Sequence, residues 1–335
     1  MKYSIFSVQD HHPSFKRSIP KLYIEVLEQG ILADQLGYDS FFVAEHHFHE
    51  YGAVPNPAIF LTALAQHTKR IKLGPAISIL TFHNPLTVAE NYAMLDILSN
   101  GRVILGVGSG YLKHEFEGYS INPEEKRQRF DENLFVLKQA LAGQKLNFKG
   151  KFGSYNNVQT NVQVTQAQIP LYVAILRSEA AYYVGKQGNN IICVPYASLN
   201  DFSEIKDLYT DFKKGFSESG KQDPQALFAF HAHVAETNDL ARKNAEDAFN
   251  LYVRTRLYAK QQTYNDVLQT GLHLFGSVET VANKIVELHK IGIDHLLLLQ
   301  NFGMLQPELV KNSMKLFIEQ VKPLVQQKIS ASASN

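Results

Sequence analysis

The sequence has one cysteine, Cys193, and lacks any apolar run approaching the roughly 18 residues that a membrane-spanning helix needs. A single cysteine excludes an intramolecular disulfide and a metal cluster built on several thiolates. The opening stretch MKYSIFSVQDHH lacks the long apolar segment of a signal peptide and is typical of a first strand. From these absences we expect a cytoplasmic protein with no membrane partner.

The sequence also lacks a marked charge of either sign. Its 33 lysine and arginine residues balance 32 acidic residues, which leaves a formal charge of +1. This balance produces no general field for attracting nucleic acid or anionic lipid, so local groups must hold any bound anion. We therefore expect no nucleic-acid partner. Because 45% of the 335 residues are hydrophobic, the chain can bury a large core.

The chain does show a regular alternation of short apolar runs and longer stretches with helical spacing. Eight runs rich in β-branched and aromatic residues lie near 2–8, 39–45, 71–80, 102–108, 170–176, 190–196, 227–235 and 293–299. Continuous apolar strands indicate a parallel sheet covered by helices. Eight strand–helix units predict an α/β fold consisting of a single (β/α)8 TIM barrel, rather than an open doubly wound sheet.

Two stretches exceed the usual loop length and are predicted to be insertions. Residues 143–166, after the fourth unit, have the pattern of a β-hairpin, and residues 255–276, after the seventh, are polar and partly helical. Long insertions in a barrel are usually lids or binding loops. We expect one barrel domain over residues 1–325 and a flexible C-terminal tail of small polar residues over 326–335.

Barrel active sites form where the strands end, which supplies candidates before any family is considered. Four strand ends carry polar or small residues: Glu45, His46 and His47; Ser78 and His83; Gly108, Ser109, Gly110 and Tyr111; Leu176, Arg177 and Ser178. The seventh strand adds His231 and His233, which line the pocket or sit in the barrel core.

The run EHHFHE contains the residue types that bind zinc and iron. Neighbouring side chains on a strand point to opposite faces, so His46 and His47 are poorly placed to hold one ion, and no HExxH motif is present. We therefore predict no metal site. An imidazole at a barrel mouth suits proton transfer or hydrogen bonding, although a packed, hydrogen-bonded core histidine remains the alternative.

The glycine run GVGSGY does not satisfy the dinucleotide fingerprint GxGxxG. Its small residues either admit a flat ligand or a phosphate, or they relieve crowding at the barrel rim. Arg177 and Ser178 stand where a strand runs into a helix, which suits a phosphate site or a simple N-cap. Arg127 lies in the charged stretch EEKRQRFDE, a pattern more typical of a solvated helix face.

Three stretches resemble one known family. AEHHFHEYGAVPNPAIFLTALAQHT is similar to the second unit of bacterial luciferase-like flavin-dependent monooxygenases. The stretch from KLGPAISIL to ILGVGSGY, with an LDxLSxGR pattern inside it, resembles their third and fourth units. GSVETVANKIVELHKIGIDHLLL resembles their penultimate helix and last strand. The resemblance covers about residues 1–325.

This resemblance implies a barrel that binds FMN, supplied in reduced form by a separate NAD(P)H-dependent flavin reductase. Reduced FMN and O2 would form a C4a-peroxyflavin that oxygenates a small organic substrate. It also implies a homodimer. Two alternatives stay open: hydride transfer with the deazaflavin F420 on the same fold, and a non-catalytic flavin-binding protein.

By the same resemblance, His46 takes the place of the family's catalytic histidine, with His47 beside it. The remaining candidates would bind the cofactor: Glu45, Ser78, His83, Gly108, Ser109, Gly110, Tyr111, Arg127, Leu176, Arg177 and Ser178. Ser109 stands where luciferase has a phosphate-binding arginine, so we expect Arg177 and Ser178 to supply that contact. Gly108 stands where luciferase has a reactive cysteine, which predicts extra room beside the flavin ring.

Overall fold

A computed structural model describes residues 1–50, 52–255 and 261–333. The strands are β1 Lys2–Ser7, β2 Ser40–Val43, β3 Lys72–Pro75, β4 Ser78–Ile79, β5 Leu105–Gly108, β6 Leu146–Lys149, β7 Ser154–Val158, β8 Leu171–Ile175, β9 Asn190–Cys193, β10 Ala226–Ala235, β11 Leu274–Ser277 and β12 His295–Asn301.

The α-helices mostly follow the strands. They are α1 Ile19–Leu36, α2 Pro57–His67, α3 Pro85–Leu98, α4 Lys113–Gly118, α5 Lys126–Leu141, α6 Ala180–Lys186, α7 Pro195–Ser198, α8 Glu204–Glu218, α9 Asn238–Arg254, α10 Tyr264–Thr270, α11 Val278–Ile291, α12 Pro307–Leu316 and α13 Lys322–Ala333. Within the described ranges, no helix is long and apolar enough to cross a bilayer.

The main sheet has the order β3-β2-β1-β12-β10-β9-β8-β5-β4, and its strand pairs are parallel. A bridge between Leu73 and Val103 brings the two ends of this order together, so the sheet closes nearly into a barrel. Each of the eight predicted apolar runs contains a strand. The predicted (β/α)8 barrel is therefore confirmed. Strand β11, which pairs with β10, was not predicted.

An antiparallel hairpin of β6 and β7 follows α5. Glu132 on α5 accepts the backbone N–H groups of Lys151 and Phe152, both at 2.9 Å. The Lys151 Nζ donates to Glu125 at 3.0 Å, and the Arg129 guanidinium lies 4.3 Å from the Phe152 ring centre. The hairpin tip thus packs on the first turns of α5, at the end of the barrel where the strands terminate. In the other predicted insertion, α10 and β11 are described, and residues 256–260 lie outside the described ranges.

The end of the chain differs from the sequence-based expectation. Where small polar residues predicted a flexible tail from 326 onward, α13 continues to Ala333. Its Val325 is fully buried, and Ile329, one turn later, packs against the same core. The Lys328 Nζ also donates to Glu279 on α11 at 2.7 Å. An apolar contact stripe therefore keeps this segment helical, and residues 334–335 lie outside the described ranges.

The arginine of the LDxLSxGR pattern is a structural residue. Arg102 is buried, and its guanidinium donates to the backbone carbonyls of Ala65 at 3.0 Å, Thr68 at 3.1 Å and Ile71 at 2.9 Å. These carbonyls belong to the end of α2 and the loop that leads to β3. One planar side chain therefore satisfies several backbone acceptors that no helix or strand satisfies.

Asp96, the aspartate of the same pattern, also binds backbone groups of a distant segment. Asp96 Oδ2 accepts the backbone N–H of Thr165 at 2.7 Å and that of Gln166 at 3.1 Å. Its Oδ1 accepts the Gln166 side-chain amide at 2.7 Å. These bonds fix the return of the chain from the hairpin into β8, and they hold the pKa of Asp96 below its usual value despite the opposing effect of burial.

We expect Arg102→Ala to lower the free energy of unfolding by at least about 2 kcal/mol, because several buried carbonyls lose their donor at once. Urea unfolding at neutral pH measures the difference. Arg127→Ala is the matched control: its ion pair with Asp131 is exposed, so its loss should cost about 1 kcal/mol or less. Equal losses in the two variants would contradict the structural role of Arg102.

Candidate active site

Glu45 lies just beyond β2 and is buried at the end of the barrel where the strands terminate. Its Oε1 accepts hydrogen bonds from Nε2 of His47 at 2.9 Å and from Nε2 of His83 at 2.6 Å. Its Oε2 accepts the backbone N–H of Ile79 at 3.2 Å. A single carboxylate thus joins the ends of the second and third barrel strands, and it brings together three of the predicted site residues.

The charges in this cluster support one another. Burial alone would raise the pKa of Glu45, but the hydrogen bonds and charges of His47 and His83 hold it below its usual value. Burial likewise opposes the charged form of His83, yet its bond to Glu45 raises the pKa of His83 above its usual value. The arrangement favours an ionised Glu45 beside a protonated His83.

A nearby tyrosine stays protonated. Burial, and then the charge of Glu45, raise the pKa of Tyr92 well above its usual value, with an opposing effect from its hydrogen bond to Ser78. Ser78, a predicted site residue, is buried next to this cluster. A phenol that keeps its proton can act only as a hydrogen-bonding group here, so the exchangeable protons belong to the imidazoles.

The rings of the adjacent residues His46 and His47 have different carboxylate partners. Glu115 on α4 is buried, and its Oε1 lies 3.3 Å from His46 Nδ1 and accepts the His47 backbone N–H at 3.0 Å. The His47 ring instead uses Nε2 for Glu45, and its Nδ1 lies 3.1 Å from the Tyr119 hydroxyl. Both ring nitrogens of His47 are therefore engaged in its supporting network.

Aromatic rings surround the imidazoles. The Tyr119 ring stacks on Phe82 with centres 4.9 Å apart, and it meets the His47 ring edge-on at 5.0 Å. Phe116 packs against Phe82 from the other side, also at 4.9 Å. Burial within this group raises the pKa of Tyr119. The rings limit water around the hydrogen-bonded histidines, which strengthens their electrostatic interactions.

A pocket of about 220 Å³ opens beside Glu45. It lies between the first turns of α2 and α3, whose N-cap residues Asn56 and Asn84 accept backbone N–H groups of their own helices. The lining is mixed and includes Ser78, Phe82, His83, Thr87, Asn91 and Tyr92. Small organic molecules bind in concave sites of this mixed kind.

The glycine run has a packing role, which was one of the two interpretations that the sequence left open. A Cβ at Gly108 would lie 2.2 Å from Ile77 Cδ1, so Ile77 fills the space that we expected to remain beside the flavin ring. Gly110 has a φ of +73°, in the left-handed region that favours glycine. Ser109 and Tyr111 flank it and are half-buried, and the Ser109 carbonyl accepts the Thr81 hydroxyl at 2.9 Å. Crowding at the rim explains Gly108.

The predicted phosphate-binding residues lie in two places. Arg127 is exposed on α5 and pairs with Asp131 at 2.9 Å, as the solvated-face interpretation predicts. Leu176, Arg177 and Ser178 form the loop between β8 and α6. Arg177 is exposed, and within the described ranges its guanidinium has no carboxylate partner.

Ser178 does not cap the helix that follows it. The N-cap position of α6 is Glu179, and no side chain there accepts a helical N–H. The simple capping role that the sequence allowed for Ser178 is therefore not what the structure shows. Ser178 is half-buried in the turn that leads from Arg177 into α6, and its role in holding a phosphate stays a prediction.

Three of the site residues meet the spacing of a metal site. The ligand atoms of Glu45, His47 and His83 lie within 4.8 Å of one another, a set that could hold an ion. Both imidazole Nε2 atoms also lie at hydrogen-bonding distance from the same oxygen of Glu45. Hydrogen bonding therefore accounts for the closeness of the three groups, and the absence of a metal site stays a prediction.

The sequence analysis missed Glu115 and Tyr119 as site residues. They lie in the stretch KHEFEGY, whose charges resemble a solvated helix face, and no spacing rule ties them to the second strand. Conversely, His231 packs 4.8 Å from the Tyr252 ring and 4.9 Å from that of Phe249, which identifies it as a core residue. Burial lowers the pKa of His233, on the same strand, to about 4.

Comparison with known proteins identifies the family of this chain. A family model described as luciferase-like monooxygenase matches residues 1–295. The monooxygenase RslO1 from Streptomyces bottropensis has a similar structure, with a TM-score of 0.87 and 26% identity over 96% of this chain and 99% of that one. The chain belongs to the luciferase-like monooxygenase family.

Other relatives use different cofactors. The oxygenating constituent of 3,6-diketocamphane monooxygenase from Pseudomonas putida, solved with FMN, has a TM-score of 0.82 over 96% of this chain and 98% of that one, and at 19% identity it shows the fold alone. An F420-dependent glucose-6-phosphate dehydrogenase from Amycolatopsis mediterranei is 31% identical over 56% of each chain. Several curated relatives are matched over only 54% to 57% of their length.

The Glu45–His83 pair should make stability depend on pH. The pKa of His83 is raised from 6.5 in the folded protein. The stability that this group contributes is therefore fully present below pH 6.5 and is lost as the pH rises through its pKa in the folded protein. The pKa of Glu45 is lowered from 4.5 in the folded protein. The stability that this group contributes is present above pH 4.5 and is lost as the pH falls through its pKa in the folded protein. The pair should therefore stabilise most in mildly acidic solution.

We expect His83→Asn to reduce the free energy of unfolding more at about pH 5.5 than at about pH 8.5. Urea unfolding at both values measures the two differences. His67→Asn, at the exposed end of α2, is the control and should show no such pH dependence. An equal loss at both pH values for His83→Asn would contradict the charged pair.

Proposed function

We propose that the protein is a flavin-dependent monooxygenase that uses reduced FMN and O2 to oxygenate a small organic substrate. The observation that carries the proposal is a buried network of two carboxylates and three imidazoles at the barrel mouth, formed by Glu45, Glu115, His46, His47 and His83. In a chain that belongs to a monooxygenase family, this network supplies proton-transfer groups in a dry setting.

The residues present fit FMN. Arg177, which is exposed, and Ser178 are neighbours in the loop after β8, and together they would hold a phosphate dianion by charge-assisted hydrogen bonds. Arg127 is less suited, because Asp131 already neutralises it. Reduced FMN, when bound, would supply the electrons that activate O2, and the protein would supply orientation and a dry pocket.

His46 is the residue assigned to proton transfer. An imidazole changes charge near neutral pH, so it can give or take a proton where a phenol cannot. His47 is held on both ring nitrogens, by Glu45 and Tyr119, and its role is to support the network. Phe82 and Tyr119 would keep water away from the reacting atoms.

We propose a separate NAD(P)H-dependent flavin reductase as the source of reduced FMN. The glycine run of β5 does not form the dinucleotide fingerprint, and Gly108 is accounted for by packing against Ile77. The resemblance to luciferase-like monooxygenases, and the match to the family model of that name, are what support this partner.

We also propose a homodimer formed through α2 and α3. These helices pack side by side and expose large apolar side chains: Ile59 at 71%, Met94 at 51%, Ile97 at 45% and Leu98 at 50%. A second copy would cover this face, whose apolar side chains are costly to leave in water. Sedimentation of the purified chain, of 37.8 kDa, measures the state directly.

A second candidate is F420-dependent hydride transfer. The observation that favours it is the 31% identity with an F420-dependent glucose-6-phosphate dehydrogenase. Titrating the purified protein with FMN, reduced FMN and F420 separates the two candidates. Tight binding of F420 with no binding of reduced FMN would replace the monooxygenase proposal.

The phosphate assignment predicts that FMN binds more tightly than riboflavin. A charge-assisted contact contributes roughly 1.5–3 kcal/mol, so Arg177→Ala should weaken FMN binding about ten- to a hundred-fold and leave riboflavin binding unchanged. Fluorescence titration measures both affinities. Arg127→Ala is the control and should leave both within about two-fold. Equal affinity of the wild type for the two flavins would remove the phosphate site.

The proton-transfer assignment predicts that His46→Ala folds normally and binds FMN within a few-fold of wild type. General acid–base catalysis contributes about 100- to 10,000-fold, so oxygenation coupled to a flavin reductase should fall by at least 100-fold. Product formation and O2 consumption are measured together. His49→Ala, three residues along, is the control. Full turnover in His46→Ala would show that the histidine is structural.

A further inference from the structure

We propose that Glu115 is the positioning residue of His46: it holds the ring proton on Nδ1 and so assigns proton exchange to Nε2. This inference rests on the role proposed above for His46. The carboxylate comes from the fourth barrel unit and the histidine from the second. No sequence motif contains both residues.

Glu115 is held firmly in place. It is 1% exposed, and its Oε1 is bound by the His47 backbone N–H at 3.0 Å, so the carboxylate is fixed to the main chain beside the ring. The next residue, Phe116, anchors α4 by packing against Phe82. In the described part of the chain, the second oxygen of Glu115 is buried and has no hydrogen-bond partner. The hydrogen bonds of the Glu115 side chain in this part of the chain are therefore those to the His46–His47 segment.

His46 is confined from another side by the loop backbone. A Cβ placed on Gly52 would lie 2.6 Å from the His46 Cβ, 2.7 Å from its Cδ2 and 2.8 Å from its Cγ. Main chain without a side chain therefore packs directly on this ring. With Gly52 against it and Glu115 Oε1 at 3.3 Å from Nδ1, the ring has one favourable orientation.

The chemistry of the pair follows from what each group can do. An ionised carboxylate accepts hydrogen bonds and donates none, so the nitrogen facing it must carry the proton. In the neutral ring, the lone pair then belongs to Nε2. This hydrogen bond pre-organises His46 for proton exchange at one defined atom.

Other titratable groups contribute to the same environment. Glu45 and His47 lie on the segment of His46, His83 joins them through Glu45, and His114 and Tyr119 contact His47 from α4 and its end. Burial, then the charge of Glu45 and then that of Glu115, raise the pKa of Tyr119, and the His47 backbone N–H donates to Glu115. A change at Glu115 therefore has to be followed on the His46 ring itself. Glu117, an exposed carboxylate on α4 that pairs with Lys113, offers a matched control.

The first test needs no turnover. In protein labelled with ¹⁵N-histidine, with the His46 signals assigned from their loss in His46→Ala, nitrogen shifts report which ring nitrogen carries the proton. The proposal expects the Nδ1–H form in the neutral wild-type ring. An Nε2–H form would overturn it, whether or not the protein is an oxygenase.

The second test asks whether the tautomer depends on the acceptor oxygen of residue 115. Glu115→Gln keeps an acceptor oxygen, so the Nδ1–H form should be retained. Glu115→Leu removes the acceptor and should lose that form. Glu117→Gln should keep the wild-type form. Retention of the Nδ1–H form in Glu115→Leu, in a protein with wild-type unfolding, would overturn the proposal.

Kinetics link the pair to the proposed reaction. We expect Glu115→Leu to lower kcat about ten- to a hundred-fold with KM within about three-fold, and Glu115→Gln, which keeps an acceptor oxygen, to lose less of the rate. If the wild type shows no oxygenation but the nitrogen shifts behave as stated, the proposed function fails and the Glu115–His46 pair stands. If oxygenation is normal and both Glu115 variants match wild type, the pairing fails and the function stands.

Discussion

The mouth of this barrel depends on the hydrogen bonds that Glu45 accepts in a buried position. A carboxylate removed from water loses hydration, and only close, charged donors can replace what is lost. The rings of His47 and His83 and the backbone N–H of Ile79 supply those donors. Because the donors come from the second and third units, the same bonds that stabilise the charge also set the positions of two site histidines.

Glu115 is a second buried carboxylate, and it faces the ring of His46. Successive side chains on an extended segment point in different directions, so the rings of His46 and His47 cannot share one carboxylate partner. Glu45, in the same segment, holds the His47 ring, and Glu115, from the helix after β5, faces His46. The rings of His46 and His47 can then lie next to each other in the chain without competing for the same carboxylate.

The rest of the molecule keeps these groups at fixed distances. Arg102 binds the carbonyls that lead from α2 into β3, and Asp96 binds the chain where the hairpin returns toward β8. Both lie in the LDxLSxGR pattern, which is therefore a pattern of backbone support. The hairpin tip, packed on α5 through Glu132, brings its insertion to the rim where a substrate would enter.

Much of the barrel follows from the sequence alone, because local propensity and apolar periodicity decide where strands and helices form. The eight apolar runs, and the resemblance of EHHF and LDxLSxGR to a known family, predicted the fold and the second strand end as a candidate site. Strand β11 and the helical end of the chain were missed, since their stability comes from pairing with β10 and from packing on the core.

Only the tertiary structure decided which carboxylate is hydrogen-bonded to which histidine ring. Glu115 follows His46 by 69 residues, and Tyr119 follows His47 by 72, separations across which no periodicity acts. Likewise, Gly108 suggested space for a ligand, whereas Ile77 fills it. Hydrogen bonds and steric contacts between distant segments depend on how the strands close into a ring. The sequence by itself determined the barrel and the EHH segment, and the closure of the ring determined the partners of each histidine.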